Sequence, residues 1–396
     1  MKKIFPLAIA LSLVIPVAYA APKGIQVQLG SIYSAPASAE GVLQSGKTSI
    51  YFGNITDKNS DIQVTAVDLS GNQLWQRVID SGSDEVVTAA ALDPLGNIWL
   101  AGASAPTPIA ETPTVTTGID NPDQVVVDNG ETLRGDLTQI TIWKVSSAGE
   151  LIGTYSIAEK SIPQVTAISA SNSGISLVGS IDSNPFLITM TSAGVFGKLI
   201  SIATNKSEIN SVIRNPDGST FIIGSSSETL AGKKVAGIRD GILAKVSKTG
   251  AVTSLLRSSA KKALRSWISA DSSLLLSGPV VTGKVVETAI TKFTPTFTPT
   301  WTLRVPSAGP SIAISANGNS YLAFTSRAPI SGIANWKPAQ PSLLILTFDS
   351  KGVIKAATAL PGLVTPISLQ YSRERGVIGL AAGGDGTVSI FTLVSR

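Results

Sequence analysis

The chain contains no cysteine and no histidine. The first absence excludes disulfides, thiolate nucleophiles and thiolate metal sites, whatever the redox state of the compartment. The second removes the commonest general base and the commonest transition-metal ligand. No Ser-His-Asp or Cys-His set can be assembled, and no Gly-x-Ser-x-Gly elbow, Walker loop or dinucleotide glycine motif occurs. No motif implies a cofactor or a metal. Charge is sparse as well: only 14% of residues are acidic or basic, and a net +5 is not the balance of a nucleic-acid-binding protein. At 396 residues the chain has the length to bury a large core without cross-links.

Long apolar runs are confined to the start. Lys2 and Lys3 precede an apolar stretch from Ile4 to Val17, followed by Ala18-Tyr19-Ala20 and then Ala21. A basic start, a short apolar centre and a small-x-small site predict a secretory signal peptide over residues 1–20. The run is too short to span a bilayer comfortably, and no later stretch approaches that length without polar interruptions. The expected mature chain, 21–396, is therefore exported, to the cell envelope or beyond it, with no transmembrane segment.

What is present is a repeat. An apolar run, one polar residue, one large apolar residue and a turn recur at Asp68-Leu69, Lys144-Val145, Thr189-Met190, Lys245-Val246, Lys292-Phe293, Thr347-Phe348 and Thr392-Leu393. A unit of roughly 45 residues with variable insertions is the signature of a β-propeller blade. Each unit resolves into four strands, A to D. The clearest has strands at Val86–Leu92, Ile98–Ala101, Gln139–Val145 and Leu151–Ile157, bounded by Gly, Asn, Ser and Pro turns. A glycine recurs in strand B at Gly53, Gly102, Gly179, Gly224 and Gly278, where it is expected to spare space between crowded blades. The seventh unit ends in its C strand, Val388–Leu393, with three residues remaining. The β-like segment Ile25–Ile32 is expected to supply the missing outer strand and leave no open edge. The fold class is thus all-β: one seven-bladed β-propeller domain over 21–396, closed by an N-terminal strand, with an insertion at about 103–138.

Gly224-Ser-Ser-Ser-Glu-Thr-Leu230, then Asp240-Gly-Ile-Leu-Ala-Lys245-Val246 and Lys248-Thr249-Gly250, resemble the repeat of a bacterial seven-bladed propeller family. Gln139–Gly149 is similar but less complete. The resemblance implies the fold and brings no catalytic residues with it.

Function has to be read from the loops. Large insertions are expected in the B–C connections, at about 103–138, 226–240, 279–286 and 327–341, which leaves one face plain and elaborates the other. The first is acidic, with Glu111, Asp120, Asp123, Asp128, Glu131 and Asp136 against Arg134, and reads as a solvated hairpin rather than a Ca²⁺ loop. The loops of units four to six are basic: Lys233, Lys234, Arg239, Lys261, Lys262, Arg265, Lys284, Arg327 and Lys337, with Trp336 as a candidate stacking anchor. They predict a binding site for an anionic cell-envelope polymer or a protein partner. The expected function is that of a monomeric, non-enzymatic binding or scaffold module. The alternative is a carboxylate- or metal-dependent hydrolase or lyase at the central channel, which would require acids converging there from several A strands.

Overall fold

The computed structural model describes residues 24–36, 38–106 and 136–393. The expected leader and most of the expected 103–138 insertion lie outside the described residues. The fold is an all-β propeller of four-stranded antiparallel blades. Among the described residues the strands hydrogen-bond into seven sheets, five built in chain order and two joined out of order by N-terminal strands. Sheet one comprises Gly41–Ser45, Thr48–Thr56, Ser60–Val67 and Gln73–Ile79. Sheet two comprises Glu85–Leu92, Ile98–Ser104, Gln139–Val145 and Leu151–Ala158. The third and fourth run from Pro163–Ser171 to Ile200–Ser201 and from Ser207–Arg214 to Val252–Ser258. Sheet five has a divided inner strand, Ala263–Arg265 with Ser269–Ala270, and ends at Pro299–Pro306. Sheet six runs from Ser311–Ala316 to Ile354–Leu360, and sheet seven from Leu363–Ser372 to Val388–Thr392.

The A strands are innermost, because they touch one another from sheet to sheet. Each junction between consecutive sheets holds its own apolar cluster. Val87, Leu100 and Trp143 of sheet two meet Ile50, Ile62 and Val64 of sheet one. Leu275 and Ile290 of sheet five meet Leu322, Phe324 and Leu344 of sheet six. Val42 and Tyr51 of sheet one meet Leu380 of sheet seven. Large side chains buried this fully contribute roughly 1.5–3 kcal/mol each, so the sheets are held mainly by their faces.

The N-terminal segment behaves differently from expectation. Only Ser31–Ser34 pairs with Val388–Thr392, antiparallel, from Ser31 opposite Thr392 to Ser34 opposite Ser389. Ile25–Leu29 instead lies parallel to Ile354–Leu360 on the outer edge of sheet six, with Ile25 and Val27 packed on that sheet's core. The chain crosses between the two sheets at Gly30, where a Cβ would stand 2.6 Å from Leu360. One short segment thus covers two neighbouring sheet edges.

The apolar C-strand ends are placed as expected for Val145, Met190, Val246, Phe293 and Phe348, all buried. In the first unit the register is two residues earlier: Val67 ends the strand, and Leu69 is exposed in the turn. The reason is Asp68, whose carboxylate caps the turn by accepting from the N–H groups of Ser70 (2.8 Å) and Asn72 (2.9 Å). Ser146, Thr191, Ser247, Thr294 and Asp349 occupy the same position in the other C–D turns. Such side-chain caps stabilise turns by mimicking a backbone turn. Three residues later the chain turns left-handed, at Gly71, Gly149, Gly194, Gly250 and Gly352, but at Phe297 in sheet five. That strained φ of 65° is offset by burying the Phe297 ring edge-on to Phe221, at 5.5 Å.

The recurring B-strand glycine has a different cause from the one expected. A Cβ on Gly102 would stand 1.8 Å from the Val86 carbonyl oxygen, and one on Gly224 1.9 Å from that of Glu208. Both carbonyls belong to the A strand of the same sheet, and a register shift follows at once, between Val87 and Ala89 or between Ile209 and Ser211. The glycine admits a β-bulge inside the blade. It does not spare space between blades. Gly102→Ala should therefore destabilise the protein by about 2–3 kcal/mol, the scale of overpacking against atoms that cannot yield. Chemical denaturation of the variant beside wild type measures this.

Candidate functional site

The B–C and D–A connections lie at one end of the sheets and the A–B and C–D turns at the other. The expected insertion at 279–286 is not one: Leu275–Thr282 and Val285–Phe293 continue as a single hairpin that turns at Gly283. The connections 226–240 and 327–341 are the elaborated loops of sheets four and six.

Loop 226–240 is held from below by Asp240, which opens the C strand and is fully buried. Its carboxylate accepts from the N–H groups of Ala236 and Gly237, each at 2.9 Å, and pairs with Arg257 at 3.4 Å. Burial alone would raise the Asp240 pKa, but these bonds outweigh it and hold the group below the usual carboxylate value. The same loop is joined to the neighbouring D–A segment: Ile238 donates to the Ala263 carbonyl and Arg265 to the Arg239 carbonyl, both at 2.9 Å. Lys234, Lys261 and Lys262 are consequently exposed on adjoining backbone. Arg239 is engaged by Glu208 at 2.6 Å, and the Lys233 ammonium donates to the Leu255 carbonyl at 2.5 Å.

Beside them Arg265, expected as a loop cation, is not free. Arg265 is buried, stacks over the Trp267 ring at 4.3 Å and leaves its Nε without a hydrogen-bond partner. Burial, and then the charge of Arg304, lowers its pKa to about 10. Arg327 and Lys337 are exposed on the separate loop of sheet six. Trp336 is half-buried there, packed on the core of its own sheet, with its Nε1 donating to the Ser326 hydroxyl at 2.8 Å. Its ring supports its own loop rather than standing free as a stacking platform.

An acidic pocket occupies the same end, where sheets one and two meet. Asp61 starts a C strand, Asp80 follows a D strand and Glu85 opens the next A strand. One carboxylate oxygen from each lies within 4.8 Å of the other two. The Ser81 hydroxyl and its N–H bond Glu85 Oε1, and Gly82 N–H bonds Asp80 Oδ1 at 2.7 Å. Glu85 is only 1% exposed, yet Glu85 Oε2 and Asp61 Oδ1 are buried without a hydrogen bond. Burial, followed by the charges of Asp80, Asp57 and Asp84, raises the Asp61 pKa. Burial also raises that of Glu85, reinforced by Asp61 and Asp80 and opposed by the Ser81 bonds. These three are the residues that an oxygen-only chain would use to hold a metal. The visible part of the signal is Asp80-Ser-Gly-Ser-Asp84-Glu85; Asp61 is remote in sequence.

Among the inner strands of sheets five to seven lies a cavity of about 600 Å³, lined by Ser269, Ser311, Ile312, Ala313, Pro366 and Ser368 among others. Asp271 also reaches it, but its carboxylate accepts from the N–H groups of Ser273 (2.9 Å), Leu275 (3.0 Å) and Ser315.

No family model matches the chain, and no curated protein matches it. Solved structures resemble it in fold. A streptogramin B lyase is 12% identical with a TM-score of 0.50, over 92% of this chain and 97% of that one. The β-propeller domain of the trilobed protease from Pyrococcus furiosus is 10% identical with a TM-score of 0.48, over 93% and 97%. A protein of unknown function from Bacteroides caccae is 12% identical with a TM-score of 0.38, over 62% and 80%. At such identity the likeness concerns fold alone, and propellers host unrelated activities.

Proposed function

We propose that the chain is an exported, seven-bladed propeller closed by its N-terminal segment, acting as a non-enzymatic binding module for an anionic envelope polymer. The observation that carries this reading is the joined pair of loops over sheets four and five. Asp240 anchors one, backbone hydrogen bonds tie it to the other, and Lys234, Lys261 and Lys262 are left exposed. A rigid scaffold that presents several free cations on ordered loops suits a polyanion, because little ordering entropy is lost on binding. The seven sheets and the pairing of Ser31–Ser34 with Val388–Thr392 support the closed ring. The lining of the inner cavity supports binding over catalysis. Asp271 is its acid, and that carboxylate is engaged by three backbone N–H groups.

Closure is tested by a chain that begins after Ser34. It should melt lower and aggregate, since both Val388–Thr392 and Ile354–Leu360 lose their covering strand. A truncated protein that melts like the intact one removes the idea. Binding is tested by replacing Lys234, Lys261 and Lys262 together with Ser. Lys233 is left in place because its ammonium caps a carbonyl. Retention of wild type on immobilised dextran sulfate should fall with salt, as exposed charges are screened over about 8 Å at physiological ionic strength. The variant should be retained less at low salt while its melting temperature is nearly unchanged. Equal retention of both proteins removes this face as the anion site.

A further inference from the structure

We infer that Asp61, Asp80 and Glu85 form a Ca²⁺ site at the junction of sheets one and two. The geometry is the first ground. Oxygen ligands stand about 2.3–2.6 Å from Ca²⁺, so two on opposite sides of one ion are about 4.8 Å apart. The three carboxylate oxygens lie within that distance of one another, so a single ion can touch all three. The second ground is independent of the clustering. Glu85 is essentially fully buried, and its Oε2 accepts no hydrogen bond; Asp61 Oδ1 shares that condition. A buried acceptor without a donor is costly, and buried charges are normally paired or bound to a metal. An ion between these oxygens satisfies both.

The donor set selects the metal class. All three ligands are carboxylates, which suit hard cations and not the softer metals that prefer imidazole or thiolate. Asp61 and Glu85 come from rigid strands, whereas Asp80 sits on a short loop with Gly82 at its turn. Such a mixture accommodates the variable, six- to eight-fold coordination of Ca²⁺ better than the strict octahedron of Mg²⁺. Carbonyls and water would complete the shell. Because the ligands come from both sheets, the ion would act as a clasp across this junction.

The test is a melting experiment on the purified protein, first in EDTA and then with Ca²⁺ raised to about 10 mM, beyond the millimolar range of weak extracellular calcium modules. Wild type should melt several degrees higher with Ca²⁺, since an ion that binds only the folded state stabilises it. The rise with Mg²⁺ should be smaller. Terbium luminescence, quenched by added Ca²⁺, gives a direct binding readout. Asp61→Asn and Glu85→Gln should each abolish both responses. In EDTA, Glu85→Gln should also melt above wild type, because it removes a buried charge facing two others; a carboxylate kept for structure alone gives the opposite sign. Glu150→Gln, at an exposed turn on the opposite end, should respond like wild type. No Ca²⁺-dependent rise in wild type, or a rise that survives both substitutions in the pocket, overturns the assignment.

Discussion

In sheets two, three and four the inner strand bulges over a glycine, Gly102, Gly179 or Gly224, and that constraint shapes how these strands meet their neighbours. Where Val86 presses its carbonyl onto Gly102, the A strand leaves the regular ladder and its next backbone groups turn outward. Asn54 of sheet one takes them, accepting from Val87 N–H at 2.8 Å and donating to its carbonyl at 2.9 Å. Comparable bonds cross the following junctions: Thr88 to the Val165 carbonyl, the Arg214 N–H to Ser169, and Asn210 to the Trp267 carbonyl. Ser269 accepts from the Ala313 N–H, and Thr325 donates to the Val364 carbonyl. At the last junction Arg375 of sheet seven reaches Ser49 and the Asp68 carbonyl of sheet one. A glycine that looks like a detail of one strand therefore sets how that strand is joined to the next sheet.

The outer ends obey a second rule. The D-strand side chain of one sheet lies against the left-handed C–D turn of the next: Trp75 on Gly149, Tyr155 on Gly194, Ile200 on Gly250 and Trp301 on Gly352. A Cβ at Gly149 would stand 2.6 Å from the Trp75 ring, so that glycine is required both for its φ of 86° and for this contact. Trp75 and Arg77 also donate to carbonyls of that turn, at 3.1 and 2.9 Å. The unit that lacks the glycine departs for a visible reason. Phe297 in its place turns inward to Phe221 and fills the space between sheets four and five itself.

Much of this was legible in the chain. Five C-strand ends and the four-strand unit follow from period-two apolar runs and their turns, signals that are local in sequence. The misread register of the first unit is equally local: Asp68-Leu69 mimics the polar–apolar pair, and only the capping role of Asp68 tells them apart. The path of Ile25–Leu29 was not legible. A short strand with both edges free pairs according to which partner is open, and two sheets offered an edge. Among candidate site residues, the lysines at 234, 261 and 262 were readable as loop cations. Trp336 was not readable as a core residue, because its packing onto sheet six depends on the long-range fold of its loop.

The acidic pocket shows the same limit from the opposite side. Asp61 and Glu85 each stand next to apolar strands, and singly each has the sequence context of a solvated acid at a strand end. Their meeting depends on the junction, which turns the start of one sheet's C strand towards the start of the next sheet's A strand. Like charges are seldom brought together in a buried setting by packing alone, since each raises the cost of the others. Val87, two residues from Glu85, is buried in the apolar cluster shared with the first sheet, which places the group there. The pocket and the lysine loops occupy the same end of the sheets with opposite sign. A polyanion bound as proposed would be directed to one side of that end and kept from the other, so both charge clusters bear on where a ligand can lie.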